Sequence, residues 1–174
     1  MVKEFEYFVK KGDVKRQKPD INLSKSTLKE SIERLEFSKN LLNKEKSKYV
    51  LENAYESMRE SADSLLYIDG FKSFSHEASI VYLIKKGFSE NDMMEFDRFR
   101  KIRNGIKYYG ADCEESDAQL AIKLAEKIYA DLERRGKTLE FKDILIRTTV
   151  LVNRGVLKTN NIKHFERIES LKFF

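Results

Sequence analysis

Only one proline, one cysteine, two histidines, seven glycines and no tryptophan occur among the 174 residues. Each scarcity excludes something. A lone cysteine, Cys113, cannot form an internal disulfide and suits a reducing, cytoplasmic setting. It also has no Cys or His near it at metal-ligand spacing, and "DGFKS" lacks the Gly-Lys-Ser/Thr of a phosphate loop, so no metal and no cofactor are expected. No window approaches the ~18 uninterrupted apolar residues that a spanning helix needs, and the opening "MVKEFEYFVKKG" scatters charges where a signal peptide has an apolar run. We therefore expect a soluble chain with no membrane partner. With so few chain breakers and abundant Lys and Glu, helix should dominate.

Charge is plentiful and mixed, with 34 Lys and Arg against 29 Asp and Glu, for a formal net charge of +5. That balance permits a nucleic-acid partner without demanding one. The length suits one domain with a proper core and a small addition.

Apolar spacing divides the chain into helices. Residues 2–11 suit a short one, and "GDVKRQKPDINLSKS" must turn at Gly12 and Pro19. Ser24 or Ser26 can cap the next, which carries Leu28, Ile32, Leu35, Leu41 and Leu42. A helix over 47–68 places Val50, Ala54, Met58 and Leu65 on one side and stops at Gly70. Another follows Ser73 or Ser75, burying Ile80, Leu83 and Ile84 before Gly87. Ser89 caps a helix marked by Phe96, Phe99, Ile102, Ile106 and Tyr109 that ends at Gly110. Residues 114–135 carry Ala118, Ala121, Ile122, Ala125, Ile128 and Leu132 beside a charged face. After residue 137, β-branched clusters and a closing "LKFF" change the texture. The expectation is a mainly α protein: an antiparallel helical bundle of about five helices over 1–137, with a small α/β C-terminal appendage over 138–174.

One stretch, "RKIRNGIKYYG" (100–110), concentrates candidate chemistry. On a helix Arg100, Arg103 and Lys107 fall at i, i+3 and i+7, with Asn104 beside them and the apolar residues opposite. Such a stripe can grip the phosphates of RNA or of a nucleotide, Arg bidentately. Tyr108 and Tyr109 supply rings for stacking on unpaired bases. The plainer alternative is a solvated face with cations favoured near the helix C-terminus.

Together with "AYESMRESADSLLYIDGFKSFSHEASIVYLIKKG" upstream, "FDRFRKIRNGIKYYG" resembles the HEPN superfamily of small helical bundles over roughly residues 20–136. The resemblance implies a homodimer and, in many members, a metal-independent ribonuclease whose motif is Arg, four to six residues, then His. Arg103 and Asn104 match the start of that motif. After four to six intervening residues from Arg103 stand Tyr108, Tyr109 and Gly110, so the histidine is replaced. Proton transfer near neutral pH suits His, with an ordinary pKa of ~6.5, far better than Tyr at ~10. His76 is the one replacement base that the bundle offers, provided that its helix lies against the Arg103 helix.

From Phe141, "KDILIRTTVLVNRGVLKTNNIKHFERIESLKFF" is similar to the end of PIN-domain toxin nucleases. Asp143 matches one acidic metal ligand there, and Thr159, Asn161, Lys163, His164 and Phe165 match a turn. One carboxylate cannot hold a catalytic metal, so a PIN-like fragment for packing or partner contact is expected.

The expected function is a HEPN-type RNA- or partner-binding component of a toxin-antitoxin or defence system, catalytically degraded by the loss of the motif His. One alternative is an active ribonuclease using Arg103 with Tyr108, Tyr109 or His76. Another is the substrate-binding partner of a minimal nucleotidyltransferase, which would leave that enzyme, or a toxin or antitoxin protein, as its partner.

Overall fold

In a computed structural model, residues 4–42 and 46–138 are described, the last three of them in backbone only. The chain divides into two compact units, 1–129 and 130–174, and the site lies in the first. The appendage expected after residue 138, with Asp143, Thr159, Asn161, Lys163, His164 and Phe165, lies outside the described residues.

The protein is mainly helical. Among the described residues there are six helices, α1 (Phe5–Lys11), α2 (Ile21–Leu41), α3 (Ser47–Ile68), α4 (His76–Lys85), α5 (Glu90–Tyr109) and α6 (Glu115–Thr138), and two short strands, β1 (Val14–Arg16) and β2 (Phe71–Ser73). Helix α2 starts at Ile21, earlier than expected, because Asp20 caps it by accepting a hydrogen bond from the Leu23 amide. Ser75 and Ser89 cap α4 and α5 through the Ala78 and Asp92 amides. Gly70, Gly87 and Gly110 all take positive φ behind helices, as anticipated.

The strands are not apparent in the amino-acid sequence. They pair antiparallel, Val14 opposite Ser73, Lys15 opposite Lys72 and Arg16 opposite Phe71. Gly70 stands at the end of the ladder at φ +76°, accepting a hydrogen bond from the Gln17 amide, and a Cβ there would stand 2.7 Å from the Gln17 carbonyl oxygen, so only glycine fits. Under the ribbon, Phe5, Phe8, Val14, Leu66, Ala78 and Tyr82 form a buried cluster.

The α2–α3 pair is an antiparallel hairpin, with Asp20 N–H donating to the Tyr67 carbonyl at one end and Arg34 meeting Glu60 along its length. Its seam departs from the leucine stripe expected on α2. Ser24, Ser31, Leu35 and Ser38 are the buried residues, while Leu28 and Ile32 are half-buried. Small side chains let the two backbones approach, and the Ser31 hydroxyl is satisfied by Ser61 at 3.0 Å. Helix α6 covers the bundle with Ala118, Ala121, Ile122, Ala125 and Ile128, its charged face tied by Asp117 to Arg98, Glu126 to Lys39 and Lys127 to Asp92.

Candidate functional site

Helix α5 turns Met93, Phe96, Phe99 and Arg103 inward, a stripe spaced by three, three and four residues. Arg103 thus occupies a core position and is only 7% exposed. The cationic stripe read from the sequence is divided: Arg103 continues the apolar face that begins with Phe96, Arg100 is half-buried, and Lys107 stands in solvent.

A buried guanidinium needs a counter-charge, and α3 supplies it. An Arg103 Nη donates to Glu56 Oε1 at 2.7 Å, and the guanidinium carbon lies 5.7 Å from the Tyr55 ring centre. Glu56 also accepts from Arg59 Nε at 2.6 Å; Arg59 donates to Asp63 at 2.5 Å; Asp63 accepts from the Ser79 hydroxyl at 2.9 Å. Glu56, Arg59 and Asp63 follow at intervals of three and four, so one face of α3 carries alternating charges from α5 to α4. Burial opposes ionisation of Glu56, but Arg59 and then Arg103 outweigh it and hold the carboxyl below the usual range. Asp63 is moved the other way: burial raises its pKa, and Arg59 offsets only part of that.

Tyr55 links this chain to His76. The Tyr55 hydroxyl and His76 Nδ1 are 2.6 Å apart, with ring planes within 9° of parallel. Burial lowers the pKa of His76, helped by Arg59 and, more weakly, by Arg103 and Arg100, against the pull of Glu56. Near pH 7 the imidazole is neutral. Burial and the Glu56 charge push the Tyr55 phenol up, so it stays protonated. The structure therefore brings Arg103 and His76 to the same tyrosine.

Tyr108 and Tyr109 are elsewhere. They are 66% and 85% exposed at the end of α5, and among the described residues no hydrogen bond or ring contact joins them to Arg103 or His76. Arg100 is held by Asp97 at 2.7 Å, and Lys101 shares the same carboxylate at 2.9 Å. Asn104, half-buried, accepts a long bond of 3.4 Å from Arg103. Arg59 and Asp63 also help line a cleft of about 370 Å³ with Thr27, Glu60 and Tyr67.

Sequence reasoning missed Glu56, Arg59, Asp63, Tyr55 and Ser79. The usable signal was the run of alternating charges at helical spacing in "YESMRESAD". Among the described residues no group of three or more His, Cys, Asp or Glu could hold a metal, and no helix is long and apolar enough to cross a membrane. Cys113 is half-buried, its thiol pushed up to about 11 by burial and by Asp117.

No protein-family model matches the chain, and no curated protein matches it.

Proposed function

We propose that the chain is a HEPN-type, dimeric, RNA-binding component of a toxin-antitoxin or defence system that holds RNA without cutting it. The observation that carries this reading is the exposure of two adjacent rings, Tyr108 and Tyr109, beside Lys107 at the open end of α5. Aromatic surface left in water gains most when a flat partner covers it, and unpaired bases are flat on both faces. Lys107 adds a charge for the adjoining phosphate. Arg103 acts here from inside, tying α5 to α3 so that the helix end is presented rigidly. The tyrosine hydroxyls stand apart from the buried charges, which supports binding over cleavage. The test is to mix the purified protein with a labelled single-stranded RNA, then measure both affinity and chain length after long incubation. Binding that weakens with salt, with the RNA recovered whole, is expected. No binding at low salt overturns the reading.

A second reading rests on the geometry around Tyr55. A neutral imidazole and a buried guanidinium converging on one phenol offer a base and a charge for attack by a ribose 2′-hydroxyl. Shortened RNA with 2′,3′-cyclic phosphate ends, lost in His76→Ala, would favour it over the first.

A further inference from the structure

We propose that the β1–β2 ribbon is a second nucleic-acid contact surface, on which Phe74 stacks with an unpaired base while Lys15 and Lys72 hold the flanking phosphates. It uses none of the α5 residues and stands whether or not the tyrosine pair binds RNA.

The pairing register first suggests it. Lys15 and Lys72 face each other directly across the ladder. Like charges in that position destabilise a sheet, and this one is only three residues long on each side. No carboxylate relieves them: among the described residues neither lysine forms an ion pair, nor do Arg16 and Lys18. Close by, Lys11 is paired with Asp13, Lys85 with Glu6 and Lys86 with Asp69. Lys15, Lys18 and Lys72 are therefore left without a paired carboxylate, and Arg16 has only the longer-range pull of Glu6.

Alternation along the strands then places an aromatic among them. Val14 is buried and Phe71 packs against the core, so Lys15 and Lys72 point outward. Phe74 continues the outward register of Lys72, its amide still bonded to the Asp13 carbonyl at 2.8 Å. It is 58% exposed, and both lysine ammonium groups lie over its ring, 5.4 and 5.7 Å from the centre. Arg16, on the other face, covers Phe71. A ring in water flanked by two unmatched cations complements a base flanked by two phosphates. An acidic peptide would use the charges and leave the ring idle, and three-residue strands are too short to template an added strand.

The test uses the full chain and a fluorescent 12-nucleotide oligo(U), with affinity followed across salt concentrations. Lys15→Thr/Lys72→Thr should leave the thermal midpoint unchanged or higher, weaken binding, and reduce the salt slope by about 1.4, the share of two phosphates on a single strand. Phe74→Ala should weaken binding by about fivefold or more with the slope unaltered. The same losses are expected in a Tyr108→Ala/Tyr109→Ala background, which separates this surface from the helix end. Wild-type affinity and slope in the lysine variant overturn the proposal. So does unchanged affinity accompanied by self-association, because the charges would then serve only to keep sheet edges apart.

Discussion

Replacing Glu56 by Gln should cost more stability than removing the arginine that it faces. Both side chains are withdrawn from solvent, and their charged atoms are 2.7 Å apart. Glu56→Gln keeps the shape and one acceptor but strips the charge that balances Arg103 and Arg59 together. Arg103 Nε already lacks a hydrogen-bond partner. Breaking a buried pair from one side typically costs about 3–5 kcal/mol, and this loss should sit in that range, a large share of a small domain's ~5–15 kcal/mol. Arg103→Met leaves Glu56 bonded to Arg59 at 2.6 Å and fills the same channel with an apolar chain, so about 2 kcal/mol or less is expected. Urea unfolding followed by far-ultraviolet circular dichroism at pH 7 measures both, and the double variant should recover at least ~1 kcal/mol of the summed loss. If both single variants fall within ~0.5 kcal/mol of wild type, Arg103 is not the internal tie described above.

Other perturbations separate local geometry from charge. Gly70→Ala combines a left-handed backbone with a contact on the Gln17 carbonyl oxygen and should cost more than Gly110→Ala, which meets open space and bears only the ~1–2 kcal/mol of the left-handed conformation; paired denaturation curves give the ranking. His76, with its pKa below the ordinary value in the folded state, contributes stability that is present above about pH 6.5 and lost as pH falls through the folded value. Stability curves over that window should flatten in His76→Gln, and a His76 proton resonance titrating at or above the ordinary value would contradict the burial argument.

Much of the bundle was legible because local chemistry decides helix ends. Gly70, Gly87 and Gly110 end their helices with positive φ, and Ser75 and Ser89 cap the ones that follow. Val50, Ala54 and Met58 fall on the buried side of α3 as their spacing requires. What escaped depends on partners distant in sequence. Arg103 is in phase with Phe96 and Phe99, yet a cation in that phase reads as solvated until its counter-charge, 47 residues earlier on α3, is in view. The serine seam of α2 escaped for a related reason: serine is scored as polar, while here its small size and a bond across the seam are what count. Three-residue strands carry too little alternation to announce themselves, and only their pairing reveals which lysines meet. The sequence offers His76 as a base only if its helix meets the Arg103 helix, and its bond to Tyr55 brings it into the Arg103 cluster.

The most direct test of the functional account is the affinity of a 12-nucleotide oligo(U) for wild type, Tyr108→Ala/Tyr109→Ala and Tyr108→Phe/Tyr109→Phe at one fixed low salt concentration. Stacking on the α5 end predicts a loss of roughly fivefold or more for the alanine pair and near-wild-type binding for the phenylalanine pair, since the ring and not the hydroxyl carries the contact. Equal affinity for all three proteins would contradict it.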